Sequence, residues 1–267
     1  DGTKLSAYSD KIKFTKEIEN ILGVKQSIVS AYLLKAKKKY ELTKRMFLEQ
    51  SLHKLKTYFT KDLLNGVFNI FSFQINKTLN QVNASELKEP HLVQLFNRFA
   101  TYNGSSPYKT PGMMTLVQHL EQEYGTFVSD KGMQNITNSL YNLALRQGVD
   151  FKFNNYVSEI LVSNKIATGI KVGDKTYESD IVISNMDVVP TYRNLLKNHY
   201  QPEKILNQER SSSALIFYWG VKKEFKNLDL HNIFFSKDYK TEFQTIFENN
   251  TISVDPTIYI NITSKDV

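Results

Sequence analysis

Histidine is the side chain best suited to acid–base chemistry and metal binding near neutral pH, and this sequence contains five. His119 lies four residues before Glu123 in the stretch HLEQE, a spacing that places both side chains on one face of a helix. A single pair of this kind is more typical of a surface contact than of a metal site. The remaining histidines show no metal-ligand spacing: His53, His91, His199 and His231. We therefore predict no metal site.

The common catalytic motifs are also missing from the sequence. There is no cysteine, which excludes a thiolate nucleophile and a disulfide framework. The 11 glycines never stand two positions apart, which excludes G-x-G-x-x-G. The sequence also contains no G-x-S-x-G, because Gly169 and Gly173, which are four positions apart, have Lys171 between them. The sequence has no P-loop and no H-E-x-x-H either. Residue spacing alone therefore indicates no particular reaction.

A turn-rich stretch, YNGSSPYKTPG, occupies residues 102–112. Its two prolines and two glycines are typical of ordered turns. Tyr102 and Tyr108 add aromatic surface that a plain surface loop does not need. Helical patterns lie on both sides of the stretch, and the second has Pro111 near its first turn and Gly125 just past its end.

The predicted elements change type along the chain. From about Asp10 to Glu123, apolar residues recur at helical spacing, and Asp10 and Gly23 are placed to begin and end the first helix. From Asp150 onward, short β-like runs follow, among them YVSEILVS, KIATGIKV, KTYESDIVIS, SSSALIFYWGVKK, NIFF and TIYINIT. The predicted fold class is α+β, with a helical region packed with a mainly antiparallel β-sheet.

The same change of element type predicts two regions. Residues 1–125 form a mainly helical region, and residues 126–267 form a mixed sheet region that includes part of any cofactor-proximal strands. Because a sheet and helices can share one core, a single domain stays an alternative.

The chain carries a formal net charge of +7, and much of it is concentrated. Nine basic residues and only three acidic ones lie between residues 31 and 62. The next segment is rich in apolar side chains, in a surface wider than one helical stripe: Leu63, Leu64, Val67, Phe68, Ile70, Phe71 and Phe73. Nucleic-acid binding would use such a basic run, but no nucleic-acid motif accompanies it, so we expect no nucleic-acid partner. A solvated helix face stays an alternative.

Both ends of the chain are abrupt. It begins with Asp1-Gly2-Thr3, without Met or a signal sequence, and stops just after the strand-like run TIYINIT. We expect a piece of a longer protein. No apolar run approaches the ~20 residues of a spanning helix, and the lack of cysteine is compatible with the reducing cytoplasm. We expect a cytoplasmic location.

Several segments together resemble the middle of bacterial-type phytoene desaturases, the flavin-dependent carotenoid desaturases. They include RFATYNGSSPYKTPGMMTLVQHLEQEYG, GMQNITNSLYNLALRQGVDFKFNNYVSEI, DIVISNMDVVPTYRNLL and SSSALIFYWGV. Order and spacing match that family over residues 85–267. The resemblance implies the substrate-binding part of an FAD-binding, amine-oxidase-like flavoprotein. The family's N-terminal glycine-rich fingerprint and its C-terminal glycine-rich segment are both missing here, so we expect an internal fragment that neither retains FAD nor turns over by itself.

The resemblance implies that the full-length protein desaturates phytoene or a similar carotenoid while associated peripherally with a membrane. The flavin carries the hydride chemistry, so little acid–base machinery is needed. The basic helical region, beside the Phe-rich run VFNIFSF, suits an anionic lipid surface, although core packing explains the same phenylalanines. The alternatives are a carotenoid isomerase or saturase of the same superfamily and a non-enzymatic basic helical protein that binds membranes or nucleic acid.

The resemblance also assigns candidate residues to the cofactor. A strand of the type YVSEI passes the adenine end of FAD, which makes the backbone of Val157 a candidate contact. The ISNMD turn brings Asn185 and Asp187 near the dinucleotide. For Asp187, the N-cap of the following helix is the competing interpretation.

For the substrate, the resemblance places the turn-rich stretch in the binding region, with Tyr102 and Tyr108 lining an apolar pocket. A helix–helix turn whose tyrosines pack for stability is the alternative. Arg98 is a third candidate, pairing with a flavin or carboxylate group, and its alternative is a solvated helical arginine.

Overall fold

The computed structural model describes residues 2–47, 49–51, 53–54, 73–208, 210 and 213–265. The chain divides into two compact units. The first contains Asp1–Met133 and Ser211–Val267, and the second contains Gln134–Arg210. The predicted division into a helical region, 1–125, and a mixed sheet region, 126–267, stays a prediction. The predicted apolar segment lies outside the described residues except for Phe73, which is buried.

The first unit begins with helices, and the first of them has clear capping residues in the sequence. Helix α1 spans Lys11–Leu22, and the carboxylate of Asp10 accepts a hydrogen bond from the backbone N–H of Lys13 at 2.9 Å. Gly23 ends this helix in the left-handed conformation, at φ 69°. Both predicted caps are confirmed. The following helices are α2 (Gln26–Phe47), α3 (Leu79–Leu87) and α4 (Pro90–Asn97).

Shorter helical turns continue the first unit on both sides of the turn-rich stretch. A 3-10 helix, Arg98–Asn103, directly extends α4. After the stretch come a 3-10 helix (Gly112–Leu116), one α-helical turn (Val117–His119) and a π-helical turn (Leu120–Tyr124). The last of these ends at Gly125, as the sequence predicts.

Phe96 is the centre of the hydrophobic core of the first unit. Its side chain is 1% exposed, and its ring lies 5.0 Å from that of Tyr32 and 6.4 Å from that of Phe14, between ring centroids. The rest of the buried cluster comes from the same four helices and the turns around them: Ile18, Val24, Val29, Leu87, Leu92 and Phe99. Amphipathic stripes of α1, α2 and α4 therefore build one core.

A chain of buried polar groups crosses that core. The hydroxyl of Tyr32 donates to Asn83 Oδ1 at 2.5 Å, and Asn83 Nδ2 donates to Asn97 Oδ1 at 2.9 Å. Asn97 in turn donates to Asn80 Oδ1 at 2.8 Å. Because buried polar groups are stable only when they are paired, these bonds fix α3 and α4 in one relative position beside α2.

The second unit consists of helix α5 (Gln134–Arg146) and a three-stranded antiparallel sheet. Its strands are β1 (Val157–Ser163), β2 (Ile166–Val172) and β3 (Lys175–Glu178), in the order β1-β2-β3. Short helical turns follow at Val188–Pro190, Thr191–Leu195 and Glu203–Leu206. The run DFKF at residues 150–153, which is also β-like in the sequence, forms no strand and enters a turn at Phe153. Its phenylalanine rings pack with Tyr141 of α5.

The first unit resumes after residue 210 with a two-stranded antiparallel sheet. Strand β4 (His231–Phe234) pairs with β5 (Ile258–Asn261), as the runs NIFF and TIYINIT predict. Between them lies helix α6 (Tyr239–Phe247), which the sequence analysis missed. A 3-10 turn, Thr263–Lys265, follows β5. The predicted α+β class is confirmed.

Another predicted strand is also not formed. The run SSSALIFYWGVKK contains no strand or helix in its described residues, 213–223. A strand exists only when a neighbouring strand accepts and donates backbone hydrogen bonds, and no described segment does so here.

Candidate functional site

The turn-rich stretch is an ordered loop held against the start of α3. Backbone hydrogen bonds join Leu79 N to the Thr110 carbonyl at 2.7 Å and Asn80 N to the Pro107 carbonyl at 3.0 Å. Gly112 N donates to the Lys77 carbonyl at 2.7 Å. The free N–H groups at the beginning of a helix need acceptors, and this loop supplies two of them.

Gly112 is the tightest point of this loop. An added Cβ would lie 2.5 Å from Val82 Cγ2 and 3.0 Å from the Gln74 carbonyl oxygen. Ser106, Pro107 and Thr110 are buried around the same contact. Only glycine allows the loop to approach α3 this closely.

Lys39, a residue of α2, forms hydrogen bonds with the other side of the loop. Its ammonium group donates to Gln74 Oε1 at 2.6 Å, to Thr115 Oγ1 at 2.8 Å and to the Gly112 carbonyl at 3.4 Å. The side chain is buried, and in the described part of the chain no carboxylate forms an ion pair with it. Burial disfavours the charged form and lowers the pKa of Lys39 to about 8.

Arg98 and Tyr102 are brought together by an acidic residue that the sequence analysis did not select. Arg98 Nη2 donates to Glu121 Oε1 at 2.8 Å, and the hydroxyl of Tyr102 donates to Glu121 Oε2 at 2.9 Å. The guanidinium lies 4.3 Å from the centre of the Phe99 ring, and the Tyr102 ring stacks on Phe99 at 5.8 Å.

This arrangement argues against the solvated interpretation of Arg98, and its assignment to a substrate or flavin site stays a prediction. Its side chain is only 16% exposed, so it is not a solvated arginine, and its carboxylate partner is within the chain. Tyr102 stays 62% exposed. Partial burial, and then the charge of Glu121, raise the pKa of the Tyr102 hydroxyl, which therefore acts as a neutral hydrogen-bond donor.

Tyr108 faces a different group of side chains, on helix α6. Its ring lies 6.3 Å from the Phe243 ring, which stacks on Phe247 at 5.7 Å with an interplanar angle of 5°. Partial burial raises the pKa of Tyr108 to about 12. A cavity of about 160 Å³ opens between the loop and α6, lined by Ser106, Tyr108, Lys109, Lys240, Phe243, Gln244, Phe247 and Glu248.

The sequence contained a signal for this aromatic surface. Phe243 and Phe247 are four residues apart and follow Asp238, whose carboxylate caps α6 by accepting from the Thr241 backbone N–H at 3.0 Å. The cap and the spacing together predict a helix that presents two phenylalanines on one face. We call Tyr108, Phe243 and Phe247 the aromatic face.

His119 and Glu123, the pair at helical spacing, form no hydrogen bond with each other in the described part of the chain. Glu123 instead binds the ammonium groups of Lys11 and Lys37, and these hydrogen bonds lower its pKa to about 2. His119 is buried beside the rings of Tyr40 and Tyr124, and burial lowers its pKa. A cavity of about 220 Å³ lies next to these residues. The described residues contain no group of three or more histidine, aspartate or glutamate side chains that could hold a metal.

The three candidate cofactor residues all lie in the second unit. Val157 begins β1, which is an outer strand of the sheet, so one edge of its backbone has no partner among the described strands. Asn185 is exposed. Asp187 accepts from the Val189 backbone N–H at 2.8 Å and from Arg210 at 3.1 Å, so it occupies the N-cap position that was its competing interpretation.

These residues fit a dinucleotide only in part. An open strand edge and a free amide are suitable contacts for an adenosine group, whereas a pyrophosphate needs a glycine-rich turn at a helix N-terminus. The spacing of the 11 glycines provides no such turn. The assignment of Val157, Asn185 and Asp187 to a cofactor stays a prediction.

Comparison with known proteins identifies the family. A model of the flavin containing amine oxidoreductase family matches residues 20–223, most of the chain. The chain belongs to this family. Flavin is the cofactor that the family description implies, and the predicted resemblance to carotenoid desaturases agrees with it.

The relatives of this flavin oxidoreductase chain are named for carotenoid chemistry. It is 52% identical over 265 residues to the 1-hydroxycarotenoid 3,4-desaturase of Flavobacterium sp. (strain P99-3), covering 99% of this chain and 54% of the relative. It is 29% identical over 272 residues to the phytoene desaturase of Fusarium fujikuroi, covering 99% and 47%. A 4,4'-diapolycopene oxygenase of Methylomonas sp. is 31% identical over 194 residues, covering 72% and 39%. The chain spans about half the length of the first two relatives.

The packing at Gly112 predicts that Gly112→Ala destabilises the protein. The new methyl group overlaps Val82, and the backbone carbonyl of Gln74 restricts its escape. We expect the free energy of unfolding, measured by chemical denaturation, to fall by about 1–3 kcal/mol.

Gly220→Ala is the matched control for this substitution, because nothing lies within 4 Å of its added Cβ. Its effect should stay within about 0.5 kcal/mol. Equal effects of the two substitutions would contradict the tight contact between the loop and α3.

The buried ammonium group of Lys39 predicts a pH dependence of stability. Its pKa is about 8 in the folded protein against an ordinary 10.5. The unfolded chain therefore binds more protons between these values, and stability rises with pH in that window. The free energy of unfolding should be measured between about pH 8 and about pH 9.5, because this range lies below the ordinary pKa of tyrosine and so limits the contribution of tyrosine ionisation.

Lys39→Met should remove this rise in the free energy of unfolding, measured by denaturant titration at each pH. Lys16→Met, on the exposed side of α1, is the control and should retain the rise. A Lys39→Met protein with the same pH slope as the unsubstituted protein would show that Lys39 is not desolvated.

Proposed function

We propose that this protein dehydrogenates a carotenoid as a flavin-dependent desaturase, with a 1-hydroxycarotenoid or a similar acyclic carotenoid as substrate. The observation that carries the proposal is the 52% identity, over 99% of the chain, to a 1-hydroxycarotenoid 3,4-desaturase. Phytoene desaturases are more distant relatives over the same length of chain. Relatives of 28–29% identity over the same share of the chain are named 4,4'-diaponeurosporene oxygenases. The much higher identity to the 1-hydroxycarotenoid 3,4-desaturase therefore favours desaturation.

The chemistry on this chain is consistent with a hydrocarbon substrate. A carotenoid offers few hydrogen-bonding groups, so its binding depends on apolar and aromatic contact area. The aromatic face supplies such area beside a cavity in the first unit. The rigid loop from Ser106 to Gly112 holds Tyr108 at that cavity, which keeps the surface preorganised for a stiff polyene.

The charge of Arg98, which follows α4 beside the loop, is neutralised within the chain. Glu121 pairs with Arg98 and accepts from Tyr102, so neither the cation nor the carboxylate is left alone beside an apolar ligand. An unpaired charge facing a hydrocarbon would lose hydration without compensation. We propose that this pairing is the contribution of Arg98 and Tyr102 to substrate binding.

The flavin, when bound, supplies the acceptor for the hydride equivalent that leaves the substrate. Val157, Asn185 and Asp187 are the residues that we propose for its adenosine end. Since the glycine spacing provides no cradle for the pyrophosphate, we propose that polypeptide beyond these 267 residues completes the site and that the chain alone neither retains FAD nor turns over.

The function can be tested in a chimera. The matching segment of the Flavobacterium relative is replaced by this chain, and the purified protein is incubated with a 1-hydroxycarotenoid. We expect a product that has lost two hydrogens. A product of unchanged mass would indicate an isomerase, and a product that has gained two hydrogens would indicate a saturase. A product that has gained oxygen would indicate an oxygenase, like some of the relatives of lower identity. Each of these results would overturn the proposal.

In the same chimera, Phe247→Ala tests the aromatic face. Losing a ring that contacts the polyene should reduce kcat/KM by roughly tenfold, in line with about 1.4 kcal/mol per tenfold change. Phe127→Ala is the control, because Phe127 is 85% exposed and lies outside the aromatic face. Thermal unfolding of both variants separates lost binding from lost stability. A Phe247→Ala enzyme with unchanged kcat/KM would remove the aromatic face from the substrate site.

We further propose that the protein contacts a membrane surface from the cytoplasmic side. No helix within the described residues combines the length and apolar character required to cross a bilayer. Much of the basic charge of α2 is engaged by carboxylates: Lys35 with Glu86, Lys37 with Glu123 and Lys44 with Glu41. Exposed apolar side chains, Ile12 of α1 at 77% and Leu34 of α2 at 67%, favour a mainly hydrophobic contact.

Flotation with vesicles tests this contact. Because apolar insertion depends weakly on salt, we expect binding that persists at high salt and falls several-fold in the double variant Ile12→Ser with Leu34→Ser. The control Ile166→Ser alters an exposed apolar residue of the second unit. Binding only to anionic vesicles, abolished by salt, would contradict a mainly hydrophobic contact, and a salt-dependent DNA shift would favour a nucleic-acid partner.

A further inference from the structure

The cavity of about 220 Å³ beside His119 lies within the first unit, between α1, α2 and the helical turns at residues 117–124. It is separate from the aromatic face, with which it shares no lining residue. Leu33 and Leu34 of α2 give it an apolar wall. Since a cavity of about 150 Å³ is large enough for benzene, this one has room for a small branched aliphatic group.

Two polar side chains in the cavity wall are buried without a hydrogen-bond partner. His119 is 4% exposed, and its Nε2 atom has no partner among the described residues. Gln122 is 8% exposed, and its Oε1 atom likewise has none in that part of the chain. Buried polar atoms are almost always paired in native proteins because an unpaired one is costly. A ligand that pairs with both atoms removes that cost.

The charged side chains of the cavity limit the ligand to a neutral molecule. Glu123 binds the ammonium groups of both Lys11 and Lys37, the latter at 2.9 Å. The two ammonium groups disfavour a cation, and the carboxylate already occupies the place that an anion would take between them. The amide oxygen of Gln122 is a hydrogen-bond acceptor, which also disfavours an anion.

The two unpaired atoms select the functional group of that neutral ligand. Gln122 Oε1 requires a donor. Burial lowers the pKa of His119, so its imidazole is uncharged at neutral pH and its Nε2 atom can carry the ring proton. A hydroxyl group donates one hydrogen bond and accepts others, so a single hydroxyl can pair with both residues.

We propose that this cavity binds an aliphatic alcohol, whose hydroxyl group donates to Gln122 Oε1 and accepts from His119 Nε2–H while its alkyl group packs on Leu33 and Leu34. Leu34 is 67% exposed and belongs to the proposed membrane contact, so a lipophilic alcohol can enter from that surface. The alcohol is either the hydroxylated end of the carotenoid or a separate lipid alcohol. The site follows from the cavity alone, whereas the first of these sources rests on the proposed function.

Two isomeric probes test the site on the purified protein. The molecules of tert-amyl alcohol and methyl tert-butyl ether contain the same atoms, but only the alcohol can donate a hydrogen bond. Binding is followed by NMR through the imidazole nitrogen signal of His119, which is assigned by its absence in His119→Asn. We expect saturable binding of the alcohol, roughly tenfold tighter than that of the ether.

Gln122→Leu removes the acceptor and nearly keeps the size of the side chain. We expect the preference for the alcohol over the ether to disappear. Because Gln122 Oε1 has no partner among the described residues, the Tm should not fall, which separates lost recognition from lost folding. Gln147→Leu changes an exposed glutamine of the second unit, and this matched control should retain the preference.

Several results would overturn the proposal. The absence of saturable alcohol binding would show that the cavity holds only water. Equal binding of the alcohol and the ether, or an unchanged preference in Gln122→Leu, would remove the hydrogen bond to Gln122. Tighter binding of pivalate, a branched carboxylate, than of the alcohol would assign the cavity to an anion.

The chimera with the Flavobacterium relative distinguishes the two sources of the alcohol. The measured quantity is the ratio of kcat/KM for a 1-hydroxycarotenoid to kcat/KM for the same carotenoid without the hydroxyl group. If the hydroxylated end of the substrate occupies the cavity, Gln122→Leu should lower this ratio about tenfold. If a separate lipid alcohol occupies it, the ratio should not change although probe recognition is lost. Both results retain the site, and an inactive chimera would contradict only the proposed function, because probe binding requires no turnover.

Discussion

The hydrogen bonds between residues 106–112 and the first turn of α3 are the constraint on which the candidate substrate site depends. They satisfy helix N–H groups and pull Gly112 to a distance that admits no side chain. The buried amides of Asn83 and Asn97 hold α3 beside α4, which carries Arg98 at its end. The loop and the arginine therefore share one rigid support, and Tyr102 and Tyr108 extend from it to different partners.

Ionic groups around this support are largely compensated within the chain. Glu121 accepts hydrogen bonds from Arg98 and Tyr102, and Glu123 pairs with the ammonium groups of two lysines. Glu242, buried on α6, accepts from the hydroxyls of Ser236 and Thr257 at 2.6 and 2.7 Å. Internal pairing of this kind leaves aromatic rings as the main surface offered to a ligand, which suits a hydrocarbon whose oxidation is performed by a cofactor.

Local signals in the sequence predicted local structure well. Asp10, Gly23 and Gly125 begin or end helices through contacts within a few residues, so their neighbours in sequence suffice. The contact between Glu121 and Arg98 could not be predicted because these residues are 23 positions apart in the sequence. The same holds for Phe243 and Tyr108, which are 135 positions apart. The prediction of a strand at residues 211–223 was wrong for a related reason. These residue types favour a strand, but a strand also needs a partner, which the local sequence does not reveal. The family resemblance identified the chemistry that spacing alone did not.

We propose that the protein oxidises a carotenoid with a flavin as acceptor. The measurement that tests it most directly is the visible spectrum of the chimera with the Flavobacterium relative, mixed with a 1-hydroxycarotenoid without oxygen. We expect the flavin band to bleach while the polyene absorption moves to longer wavelength, with one flavin reduced for each carotenoid oxidised. A carotenoid spectrum that changes while the flavin stays oxidised, or a flavin that never bleaches, would contradict it.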